Sequence, residues 1–403
     1  MRYESLGNLV SITSGGTPSK NCPDYWCGNT PWISAKEMTS DIVFESTLHI
    51  SSEAVKFSNI APANSILLLT RGSGLFNEIS LNWVTSEVAF NQDIKCLNCE
   101  DKLLLKYLYY YLKSTKDLQS ILDVTGIGAG KFDTQRIKDI QIPIYDKSTL
   151  MKIISVCDSI YNKIYLNSKI NANLLRQMES IYCNLMDFSK YNNLIETELG
   201  PMPDNWHVEQ VSKYCKDMKN GATPSRSKNE YWVNGTIPWV VTGEVNDSII
   251  IDTEEKITDL GLKNSSAKLL PVDTVVMAMY GRGTAARLAY LKIEAATNQA
   301  CCGMICDTPN RSAFLYETLH QMHDYIDTLA SGSVQQNLSK EIIGNLKFPC
   351  PPDDIIESLE LSMIFDVITN NDLENKRLIE LRDYLLPKLM SGEIDVSQLD
   401  LGD

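Results

Sequence analysis

The chain has 403 residues, 43% of them hydrophobic and 22% charged, an ordinary globular composition with room for two or three domains and unlike that of a disordered tail or a fibre. No apolar run is long enough to span a membrane and the opening MRYESLGNLV has no secretory apolar segment, so a cytoplasmic protein with its eleven cysteines reduced is expected. The net charge of −14 argues against a nucleic-acid partner, but residues 353–403 hold −9 of it, against −2 for 1–150, +2 for 151–195 and −5 for 196–352, so a local basic surface stays open.

Residues 1–147 mix β-like runs at 66–69 and 140–144 with a helical run at 102–113. They begin with GGTPSKNCPDYWCGNTPWISAKEM at 15–38. Residues 148–190 then read as one helix. Apolar side chains at Ile153, Cys157, Ile160, Ile164, Leu174, Met178, Ile181, Leu185 and Phe188 form a coiled-coil seam, with Asn167 and Asn171 filling its gap. A helix over 153–188 is about 54 Å long, a stiff spacer.

Residues 191–352 repeat the first block. GATPSRSKNEYWVNGTIPWVVTGEV at 221–245 matches the earlier motif, with Thr17-Pro18-Ser19 and Tyr25-Trp26 answered by Thr223-Pro224-Ser225 and Tyr231-Trp232 at an offset of 206. Asn91-Gln92 is answered by Asn298-Gln299, and Gly126, Ile137 and Pro143 by Gly332, Ile343 and Pro349. The β-like runs 275–279 and 346–348 and the helical run 311–329 complete the unit. A self-match this long is a duplication. Residues 353–403 carry a second seam through Leu361, Ile364, Ile368, Leu378, Leu385 and Leu389, with Asn371 and Asn375 at the equivalent polar positions and Arg382 in place of Met178. Antiparallel pairing sets Asn167 against Asn375 and Asn171 against Asn371, fixing register at some cost in stability. The fold class expected is α+β, two similar globular α/β domains joined by two long antiparallel coiled-coil helices.

The order of unit, helix, unit, helix resembles the specificity subunit of type I restriction–modification systems, as do the Gly-x-Thr-Pro-Ser and Tyr-Trp motifs. The Arg71-Gly72 and Gly281-Arg282-Gly283 turns, the GSVQQNLS stretch and the terminal LRDYLLPKLMSGEI extend the resemblance over essentially the whole chain. One departure is that the chain opens almost at the first domain, with little helix ahead of it. The resemblance implies target-recognition domains at 1–147 and 191–352, each reading half of a bipartite DNA site, and spacer helices at 148–190 and in 353–403. It implies a non-catalytic subunit that docks two methyltransferase subunits for adenine-N6 methylation, joined by restriction and translocase subunits. S-adenosylmethionine belongs to the methyltransferase partner, and this chain needs no cofactor or metal of its own. Because the two copies differ outside their shared scaffold, the site they read is asymmetric. The recognition part of a self-sufficient restriction enzyme and a two-lobed protein-binding scaffold are the alternatives.

Cationic and polar side chains in glycine-rich or polar loops are the DNA-contact candidates. In the first unit these are Ser19, Lys20, Lys36, Arg71, Ser73, Lys131 and Arg136. In the second they are Ser225, Arg226, Lys228, Tyr280, Arg282, Arg287, Gln335, Gln336 and Lys340. The Thr-Pro-Ser and Trp pairs, shared by both units, read as scaffold. The cysteine clusters lack the second pair a zinc site needs. Gly126 to Lys131 departs from a phosphate loop at Phe132. Glu254-Glu255-Lys256 reads as a solvated turn.

Overall fold

The computed structural model describes residues 2–124, 130–281, 283–330 and 337–396, and the candidates Arg282, Gln335 and Gln336 lie outside them. The chain forms two compact units, one of residues 1–164 with 377–403 and the other of residues 165–376.

In the first unit a five-stranded sheet runs in the order Ser11–Ser14, Ile94–Asn98, Ser65–Leu69, Leu81–Val84, Ile42–Val43. The three inner strands are largely buried on both faces, the pattern of strands covered on two sides. A smaller sheet is built on Thr30–Ile33, whose Trp32 pairs in parallel with Ala89. The helix Lys102–Ser114 starts where Asp101 accepts hydrogen bonds from the backbone of Leu103 and Leu104 at 3.0 Å, and it buries Leu105, Leu108 and Leu112.

The second unit repeats this order strand for strand: Asp217–Asn220, Cys301–Ile305, Val275–Ala278, Leu288–Leu291, Ser248–Ile250. Its Trp239 pairs in parallel with Ala296, as Trp32 does with Ala89. Its helix Pro309–Gln321 has Thr308 at the cap and proline in the first turn, where a missing N–H costs nothing.

The two long helices are Lys147–Leu185 and Leu361–Ser391. They run antiparallel. Within the second unit Asn167 donates to Asn375 Oδ1 at 2.9 Å and Asn371 donates to Asn171 Oδ1 at 2.7 Å. Two carboxylates complete this polar layer, Glu374 accepting from Asn167 and Asp372 from Asn171, both at 2.8 Å. Within the first unit Arg382 lies over the Tyr161 ring, 5.5 Å from its centre.

The seam departs from a strict heptad after Met178. Ile181 turns outward at 37% exposure while Tyr182 is buried against Phe314, their rings 5.7 Å apart. A straight helix drifts against a seven-residue repeat, and the larger ring takes the inward position. The helix ends at Leu185, so Phe188 leaves the seam and packs edge-on against Trp206 at 5.4 Å.

Candidate nucleic-acid interface

In each unit the Gly-x-Thr-Pro-Ser loop is fastened by a tryptophan pair. Trp26 Nε1 donates to Ser19 O at 3.1 Å and Trp32 Nε1 to Gly16 O at 3.0 Å. Trp232 Nε1 donates to Ser225 O and Trp239 Nε1 to Ala222 O, both at 3.1 Å. The rings meet edge-on at 5.1 Å and 4.9 Å, so these tryptophans build the loop.

A glutamate fixes the next loop. Glu37 Oε2 accepts from the Ser34 backbone at 2.9 Å, and Glu244 Oε2 from the Val241 backbone at 2.8 Å. Burial works to raise the Glu37 pKa, but donors from Ser46, Ser34 and Thr47 outweigh it and bring it down to about 2. Glu37 thus stays charged and holds the loop that exposes Lys36.

The strand pairing then brings two candidates together. Arg71 and Lys131 are cross-strand partners, with Asp123 on the far side of Lys131, and both cations are exposed. Like charges directly opposite destabilise a sheet, so the pair is suited to an anion. Arg71 and Ser73 line a cleft of about 630 Å³ that Lys36 also borders. Lys20 and Ser19 are exposed on the Trp-fastened loop. Arg136 stands apart, ion-paired with Asp123 at 2.7 Å.

At the equivalent bridge of the second unit stand Tyr280 and Asn337. With Thr242, Gly243 and Thr284 they line a cleft of about 480 Å³. The remaining candidates among the described residues are engaged by their own unit. Arg226 makes a fork-to-fork pair with Glu255, both bonds 2.6 Å, and stacks 3.7 Å above the Trp232 ring. Ser225 bonds Ser227 at 2.9 Å, Lys228 reaches Tyr231 Oη at 2.9 Å, Arg287 meets Asn246, and Lys340 donates to Met218 O at 2.6 Å. Asn337 was not among the sequence candidates, although it sits at Lys131 plus 206.

Residues 2–176 and 203–383 each match the family described as the type I restriction modification DNA specificity domain. The chain belongs to that family. Two specificity domains are therefore arranged in tandem. The chain is 24% identical over 98% of its length to the MjaIX specificity subunit of Methanocaldococcus jannaschii, covering 94% of that protein. It is 30% identical to the EcoR124I/EcoR124II specificity subunit of Escherichia coli over 44% of this chain and 45% of that one. The fold is shared with the type I S subunit from M. genitalium, with TM-score 0.60, 16% identity and 96% of both chains covered. Among the described residues no helix is long and apolar enough to cross a membrane, and no group of three or more His, Cys, Asp or Glu is placed to hold a metal ion.

Proposed function

We propose that the two specificity domains read the two halves of one asymmetric, bipartite DNA site, and that the chain scaffolds two methyltransferase subunits that modify adenine at N6. The reading is supported above all by one position. The same strand bridge carries Arg71 and Lys131 in one domain and Tyr280 and Asn337 in the other. Two cations suit phosphate or guanine edges, whereas an amide beside a phenol suits adenine and neutral groups. One frame presenting unlike chemistry is what an asymmetric site requires.

In this reading the chain supplies recognition and no catalysis, and it works in the cytoplasm. The methyltransferase partner holds S-adenosylmethionine, whose methyl group the reaction consumes. Restriction and translocase subunits join the same core. Mapping N6-methyladenine across the genome, with and without the gene, tests it. Loss of one bipartite asymmetric motif is expected. Loss of a palindrome, or no change while a methyltransferase partner is present and active, overturns it.

A further inference from the structure

A motif that the recognition surface leaves unused recurs in both units. Thr17 Oγ1 donates to Gln92 Oε1, and Thr223 Oγ1 donates to Gln299 Oε1 at 2.5 Å. The threonines belong to the Trp-fastened loop, and the glutamines lie two residues ahead of the strands Ile94–Asn98 and Cys301–Ile305, each second in its five-stranded sheet. Glycine makes the approach possible. A Cβ on Gly15 would fall 2.2 Å from the carbonyl oxygens of Phe90 and Asn91, and one on Gly221 equally close to those of Thr297 and Asn298. The loop is thus pressed against the backbone that immediately precedes each glutamine.

The clamp engages the oxygen of each amide and leaves its NH2 group over. Both glutamines are exposed, and among the described residues neither Nε2 has a hydrogen-bond partner. The backbone next to each glutamine is also tied to the segment that bears the interface bridge. The Thr70 backbone donates to Asp93 O at 2.7 Å, which sets Gln92 next to the segment bearing Arg71. Met279 donates to Ala300 O at 2.7 Å, which sets Gln299 next to Tyr280.

An exposed Thr–Gln bond contributes little to stability, so two tryptophans, a close-approach glycine and a hydroxyl are a large apparatus for one surface amide. Because the amide is the same in two domains that read different bases, its target is a feature that every duplex shares. We infer that Gln92 and Gln299 are sequence-independent anchors, each Nε2 donating to a DNA backbone phosphate and setting its domain's depth and register. This rests on the proposed DNA-reading function.

The test uses the full chain assembled with its methyltransferase subunits. The probes are a duplex bearing the mapped methylation site and the same duplex with one half scrambled. Gln92→Ala or Gln299→Ala is expected to weaken both duplexes about 10-fold, leaving their affinity ratio unchanged. A single neutral methylphosphonate in the matching half should weaken the unaltered complex and leave the variant no weaker still. Thr17→Val, which frees the amide without removing it, should give a smaller loss, and unchanged thermal unfolding of each variant shows that the fold persists. A changed affinity ratio means that the amide reads a base and overturns the inference, as does undiminished binding. If the unaltered complex binds neither duplex, the DNA-reading function itself falls. If it binds and the glutamine variants bind equally, only the anchors fall.

Discussion

The two specificity domains share a sheet order, a tryptophan-fastened loop and a glutamate-held turn, yet they show opposite polar economies. In the first, Lys20, Lys36, Arg71 and Lys131 stand exposed, and Lys131 has Asp123 as its partner across the strand. In the second, Arg226 is held by Glu255 and Lys340 by a backbone carbonyl, and the bridge itself is neutral. The lesson is that repeated backbone fixes where a recognition side chain stands, while local partners decide whether its charge is available. Among the described residues, the bridge of one domain presents two cations and that of the other a phenol and an amide.

The sharpest way to break this contrast is to remove the cationic bridge. Arg71→Ala with Lys131→Ala is expected to lower the affinity of the assembled complex for its site about 100-fold and to flatten the slope of log affinity against log salt by about 2. An unchanged slope would dissolve the distinction. Asn337→Ala should cost about 10-fold in binding with the slope intact, and should relax base preference in one half of the methylated motif only.

A smaller effect concerns stability. On the helix facing each sheet, Tyr110 in the first domain corresponds to Glu317 in the second, which is 2% exposed. Burial raises the Glu317 pKa, although Gln321 donates to it at 2.8 Å and His320 lowers it. A carboxyl with a raised folded pKa gives stability below its unfolded value that is lost as pH rises through the folded one. Glu317→Gln should therefore stabilise the second unit at neutral pH and flatten that decline in thermal unfolding. Glu37 has the opposite sign, its contribution lost as pH falls toward about 2. The smallest expected change is Glu255→Ala. It should cost under about 0.5 kcal/mol, because the pair is exposed, yet it frees Arg226 and should steepen the salt slope by about 1.

Much of this was legible in the linear pattern. The duplication, the antiparallel asparagine layer and the scaffold role of Trp26, Trp32, Trp232 and Trp239 follow from spacing, because local periodicity and repeated offsets carry them. What escaped depends on partners far apart in the chain. Glu255 reads as a solvated turn until the fold brings it to Arg226, 29 residues away. Asn337 gains meaning only opposite Tyr280. Gln92 was visible as a repeat but not as a clamped amide, since its threonine lies 75 residues upstream. Ile181 and Tyr182 exchanged places because a heptad template carries no information about the ring waiting at Phe314.

The way the units are cut from the chain also orders their birth. The second is one continuous stretch, 165–376, whereas the core of the first includes Leu386, Leu389, Met390 and Val396 from the far end. A ribosome delivers residues from the N-terminus, so the domain made first must wait with part of its core open until the last helix emerges. The later domain has every residue it needs by then. Closure therefore runs against the order of synthesis, and a chain that loses its last two dozen residues leaves its oldest domain unfinished rather than its youngest.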